Sequence, residues 1–148
     1  MSIRWKRALA LLATGLWITF IFARSAQPAD ASVAESAVFH EFLVRLFPWM
    51  TDHFVRKLAH FTEYAILGAL LHADFRLLVR GAVLLPLGLS IVVACFDEFV
   101  IQVHTPGRSG ELRDVLLDSF GAAVAISFAL LLRRRKGRAT HGRAGKET

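Results

Sequence analysis

The apolar residues of this chain fall into long blocks separated by charged stretches, and this blocking limits the fold more than any single motif does. The blocks cover residues 8–24, 58–78, 81–103 and 115–132, each near what about 30 Å of hydrocarbon requires at about 1.5 Å per helical residue. A soluble chain of 148 residues, 55% of them hydrophobic, has too little polar surface to cover four such blocks. Lipid is the solvent that can. The expected fold is therefore all-α: a polytopic membrane protein built as a bundle of four transmembrane helices, because a helix satisfies its own backbone in hydrocarbon.

The blocks differ in character. The first follows Arg4, Lys6 and Arg7, holds Trp17, Phe20 and Phe22, and ends at Arg24. Its outline resembles a secretory signal, but Arg24 beside Ala23 makes a poor processing site, so residues 1–24 read as a retained helix. The second block is interrupted by His60, Glu63, His72, Asp74 and Arg76; the third carries Asp97, Glu98 and Gln102 near its end; the fourth holds Asp118 and stops at Arg133. An external loop, 25–56, joins the first two blocks. In it Val38, Phe39, Phe42, Leu43, Leu46 and Phe47 recur at helical spacing, with His40, Glu41 and Arg45 opposite. That pattern predicts an external amphipathic helix that lies in the interface or packs on the bundle.

Twelve of the 18 Lys and Arg lie before the first block, from Arg76 to Arg80 where the second block gives way to the third, or after the fourth. These segments are expected on the cytoplasmic side of the inner membrane, so both termini face the cytoplasm. A net charge of +6 would suggest nucleic acid in a soluble protein. Here the densest cluster, Arg133 to Lys136 with Arg138, directly follows an apolar block, where membrane lipids are the expected partners and no nucleic acid is. Residues 133–148 read as a basic cytoplasmic tail without fixed structure, which leaves 1–132 as the transmembrane domain. The lone Cys95 permits no intramolecular disulfide and reads as packing.

This topology carries three separated polar groups to the outer ends of the second, third and fourth helices. They are Lys57, His60 and Glu63; Asp97, Glu98 and Gln102; and Arg108, Arg113, Asp114 and Asp118. Within them His60 and Glu63, Glu98 and Gln102, and Asp114 and Asp118 are spaced three or four apart, so each pair shares a helix face. A charge at a helix centre costs about 2.5 to 3.5 kcal/mol on insertion scales, so these groups need partners or a wet cavity. The expectation is one outward-opening polar pocket of His60, Glu63, Tyr64, Asp97, Glu98, Gln102, Arg108, Arg113, Asp114 and Asp118. The competing reading is a salt-bridge network that only fixes helix packing. His40, His53, His72 and His104 lack partners at ligand spacing and read as interfacial; no metal or cofactor is expected. Trp5, Trp17 and Trp49 read as membrane-interface anchors.

The segments KLAHFTEYAILGALL (57–71), DEFVIQ (97–102) and PGRSGELRDVLLDSFGAAV (106–124) make the chain resemble the VanZ-like membrane protein family over about its last two thirds. The ordered set H-x-x-E-Y, D-E-x-x-x-Q, G-R and D-x-x-x-[ND]-x-x-G falls on His60, Glu63, Tyr64, Asp97, Glu98, Gln102, Arg108, Asp114, Asp118 and Gly121. The chain departs in having Asp118 where Asn is frequent, and Ala125 where a second glycine is common. The resemblance implies a small multi-spanning envelope protein, the family's namesake being an accessory determinant of teicoplanin resistance. Binding of an anionic lipid or cell-wall precursor through Arg108 and Arg113 is one expectation, and an oligomer is compatible with it. An intramembrane acid/base or metal-assisted enzyme is another, although no G-x-S-x-G elbow or H-E-x-x-H pair supplies a recognisable centre, which favours a non-enzyme. A small proton-coupled carrier using Glu63, Glu98 and Asp118 is the third.

Overall fold

The computed structural model describes residues 2–29, 51–78 and 84–144. Four α-helices account for nearly all of them. Helix α1 is Ile3–Ser25, α2 is Asp52–Leu78, α3 is Leu84–Phe96 and α4 is Leu112–Ala144. No strand occurs among the described residues. The predicted amphipathic helix, with His40 and Trp49, lies outside them.

Three segments are long and apolar enough to cross a membrane: Arg4–Ser25, Leu84–His104 and Leu112–Arg135. Burial in these segments is the reverse of a soluble core. Asp97, Glu98 and Asp118 are wholly buried, whereas Leu16, Val92, Leu116 and Phe120 are each more than 60% exposed. Apolar groups turned outward and carboxylates turned inward suit a lipid surround. The protein is a multi-pass membrane protein.

Helix α2 packs against all three other helices and, unlike them, contributes to none of the segments apolar enough to cross a membrane. It begins six residues before the expected apolar block because Thr51 caps it: its hydroxyl accepts from the Phe54 amide at 3.2 Å, and its carbonyl accepts from Val55 at 3.0 Å. The polar run from Asp52 to Lys57 thereby becomes helix. Helix α4 likewise extends past its apolar block. Residues 133–144, expected to lack fixed structure, continue it through Ala144, since Arg, Lys and Ala propagate a helix already nucleated.

Small residues set the spacing of α2 and α4. A Cβ added to Gly68 would stand 2.7 Å from the Ala122 backbone, and one added to Gly121 would stand 2.4 Å from the Phe61 carbonyl oxygen. The two backbones approach each other as small-residue membrane interfaces do. Tyr64 and Asp118, four residues before Gly68 and Ala122, sit one turn further out on the same seam. Helix α1 closes the bundle with Ile21 in the core and Trp17 and Phe22 against it. Trp17 is a seam residue and not an interface anchor: its Nε1 donates to the Glu63 carbonyl at 2.9 Å. At the opposite end of the bundle, buried Thr14 donates its hydroxyl to Asp74 at 2.6 Å, joining α1 to α2 again.

Candidate functional site

The polar end of the bundle is built around a local change of helical pitch. Helix α3 passes into a π-turn, Asp97–Ile101, and then a short 3-10 turn, Gln102–His104. Consecutive residues on an ordinary α-helix point about 100° apart, which would send one of two adjacent carboxylates outward. In the widened turn Asp97 and Glu98 are both fully buried. Such π-turns frequently occur at functional sites.

Gln102, the next residue on this face, joins the two carboxylates. Its Nε2 donates to Asp97 Oδ2 at 3.2 Å and, through a shorter contact, to Glu98 Oε1. Glu98 Oε2 accepts from the Glu111 amide at 3.1 Å. Its carboxylate therefore sits before the first turn of α4, where the helix dipole favours negative charge. Gly110 makes this approach tight: a Cβ there would fall 2.4 Å from the Glu98 carbonyl oxygen. Asp97 Oδ2 also accepts the Ser25 hydroxyl at 2.8 Å.

The connection from α3 to α4 is tied to the end of α1. The Thr105 hydroxyl donates to the Ser25 and Ile101 carbonyls at 3.3 and 2.8 Å, and the Ala29 amide donates to Pro106 O at 3.1 Å. Arg108 spans the same gap. Its Nε donates to Gln27 O at 3.0 Å, one terminal nitrogen to Gln102 Oε1 at 3.3 Å and the other to Arg24 O at 3.4 Å. A guanidinium carries five N–H groups, so this leaves donors to spare. Burial first, and then the neighbouring Arg56, hold the Arg108 pKa below the usual arginine value; Arg24 adds to this while Asp97 and Glu98 oppose it.

Beside Arg108 lies a cleft lined by Arg24, Ser25, Arg56, Ala59, His60, Glu63 and Arg108. Its enclosed part is about 20 Å³, room for one water molecule. Three arginines border it and Glu63 is the lining carboxylate. His60 Nδ1 is buried without a hydrogen-bond partner among the described residues.

The ten residues expected in one pocket are thus arranged in five ways. His60, Glu63 and Arg108 share the cleft. Asp97, Glu98 and Gln102 form the layer behind it, joined to it through Arg108 and Ser25. Asp114 pairs with Lys57 across α2 and α4. Tyr64 and Asp118 are buried deeper, their side-chain oxygens lacking a partner among the described residues. Arg113 does not join them: it is exposed and does not line the cleft. One residue is about 100° of helix, so with Asp114 turned to Lys57, Arg113 faces away.

The cleft's other cations, Arg24 and Arg56, and the hydroxyls of Ser25 and Thr105, escape a search based on intramembrane polar spacing because they flank the apolar blocks. Their position at the ends of α1 and α2 that meet the polar layer is the signal that could have found them. His53 and His104 are exposed, and His104 Nδ1 bonds the Val100 carbonyl at 2.7 Å. His72 is buried at the other end of α2 rather than interfacial. Among the described residues, no three His, Cys, Asp or Glu side chains converge as a metal site.

The family model described as VanZ/LLP1 matches residues 10–133, from α1 into the basic part of α4, and the chain belongs to that family. No curated protein and no solved structure matches it.

Proposed function

We propose that this VanZ/LLP1 family protein crosses the inner membrane four times, with α2 as the additional span and both termini cytoplasmic. In this reading the arginine-bordered cleft opens outward and binds a phosphate-bearing headgroup of an envelope lipid or cell-wall precursor. Occupancy by such a component would alter susceptibility to teicoplanin-type glycopeptides. The observation that carries the reading is the meeting of Arg24, Arg56 and Arg108 around one cleft. Three guanidinium groups against one lining carboxylate, Glu63, give the cleft a net positive lining, and an anion is the ligand that such a lining favours. The enclosed space suits water or a phosphate oxygen, so the headgroup engages at the mouth while its acyl chains remain in lipid. The exposed apolar surface beside it supplies that environment.

A second reading, acid/base chemistry on the bound headgroup, draws on one specific feature. His60, with its unpartnered Nδ1, shares the cleft with Glu63. Both readings are tested with full-length protein in nanodiscs offered phosphatidic acid, phosphatidylcholine or diacylglycerol. Selective retention of phosphatidic acid is the expected result, and equal retention of all three would overturn it. Competition by inorganic phosphate distinguishes recognition of phosphate itself from recognition of a whole lipid. Release of phosphate from the retained lipid would establish the enzyme reading in place of simple binding.

A further inference from the structure

Behind the cleft lies a second polar cluster that anion binding does not use. Asp118 is 0% exposed, and neither carboxylate oxygen has a hydrogen-bond partner among the described residues. Tyr64 is also 0% exposed with its hydroxyl unpartnered, and the same is true of Asp97 Oδ1. Tyr64 on α2 and Asp118 on α4 each precede the close Gly68–Ala122 contact by four residues, one helical turn. Asp97 and Asp118 both lie within electrostatic reach of the Tyr64 hydroxyl.

The charges around Asp118 give it no counterion. Those acting on it are Glu98 and Asp97 from the π-turn, Asp114 from its own helix and Glu63 from α2, all carboxylates. Lys57 is committed to Asp114, and Arg108 to Gln102 and two backbone carbonyls. An ionised carboxylate in this position would have up to four acceptor sites, no donor and only like charges nearby, the costliest arrangement for a buried group. One added proton removes the charge and supplies the missing donor.

We propose that Asp118 is a proton-binding site inside the bundle. It is held as a neutral carboxylic acid whose O–H is linked to Tyr64, and Tyr64 in turn to Asp97 Oδ1, through internal water, since no direct bond joins these oxygens. This chain engages Tyr64 Oη, Asp97 Oδ1 and one of the two Asp118 oxygens, and it ends on the Asp97 carboxylate that Ser25 and Gln102 already hold. The bound species is a proton, with water as its companion, so the site is separate from the phosphate cleft and does not depend on what the cleft binds.

Infrared spectroscopy of the full-length protein in liposomes at neutral pH tests the site. The expected spectrum contains a carboxylic-acid carbonyl band that shifts when aspartate carboxyls are ¹³C-labelled, disappears in Asp118→Asn and moves in Tyr64→Phe. Absence of an aspartate-derived band in the wild type, or a band unchanged in Asp118→Asn, would overturn the proposal. Should Asp118→Asn fail to insert, Tyr64→Phe decides: a moved band supports the chain and an unmoved one refutes it. Phosphatidic acid retention is measured on the same samples, so failure of the proton site and failure of the anion cleft give different results.

Discussion

Ser25, the last residue of the first helix, donates its hydroxyl to Oδ2 of Asp97 in the π-turn, 72 positions away, at 2.8 Å with both groups buried. Through this bond the first helix becomes part of the polar layer and not merely a membrane anchor. Arg108 and Thr105 extend the tie by bonding backbone carbonyls at the same end of α1. Removing α1 would expose Asp97 and leave those donors without acceptors.

The purified mature protein is therefore expected to retain α1. Intact-mass measurement checks this directly. A mass corresponding to a chain that starts near Ala26 would show that the segment acts as a signal and that the polar layer forms without Ser25.

Ser25→Ala should lower stability by about 1–3 kcal/mol, the cost of leaving a buried acceptor short of a donor. Thermal unfolding in detergent, monitored by circular dichroism, reads the loss. Ser109→Ala serves as the comparison: Ser109 is exposed and makes a 3.4 Å contact to Glu111, so little change is expected there.

Much of this arrangement is legible in the sequence, because charged residues inside apolar blocks must be sheltered somewhere and helical spacing assigns them to faces. His60 with Glu63, and Glu98 with Gln102, follow from that argument. The grouping of Asp97 with Glu98 does not, since adjacent residues of a regular helix point about 100° apart and the sequence does not mark the π-turn that holds both inward. Ser25 and Arg24 were hidden for a different reason: they end an apolar block where a generic interfacial role already accounts for them. Arg113 is exposed because the first turn of α4 gives it a different face from Asp114, a direction that composition does not mark.

Gly121→Leu and Gly68→Leu should each disrupt the bundle, since even a Cβ would meet opposing backbone at 2.4 and 2.7 Å. Overpacking typically costs about 1–3 kcal/mol and more where backbone must move. Ala69→Leu, at an exposed position next to Gly68, should be tolerated. The check is the yield of folded protein extracted from membranes; equal yields for all three variants would mean that α2 and α4 do not approach as closely as described.

Reporter fusions should read as external at Ala31 and Ser109 and as cytoplasmic at Leu77 and Thr140, because the basic residues concentrate on the latter side. Ser109 is the informative position. It lies in the connection that carries Arg108, and a cytoplasmic result there would turn the arginine cleft toward the cell interior and remove the case for an envelope ligand.

The cleft itself is best tested at Arg56, because Arg108 has a structural duty that Arg56 does not share. Arg108→Ala removes three hydrogen bonds, two of them to the end of α1 and one to Gln102, so lost binding in that variant reflects lost structure as readily as a lost contact. Arg56 lines the cleft without a hydrogen bond to another described residue, and its replacement should leave the fold intact. Arg56→Gln is expected to weaken phosphatidic acid retention about 10- to 100-fold, the equivalent of one charge-assisted hydrogen bond of about 1.5–3 kcal/mol. Arg113→Gln, which alters the net charge equally but faces away from the cleft, should leave retention within about twofold and so corrects for nonspecific attraction to an anionic surface. Glu63→Gln adds a second sign: removing the lining carboxylate should preserve or strengthen retention of phosphatidic acid if the cleft only binds anions, and should abolish turnover if Glu63 acts as an acid or base. Equal losses in Arg56→Gln and Arg113→Gln would mean that bulk charge, and not the cleft, attracts the lipid.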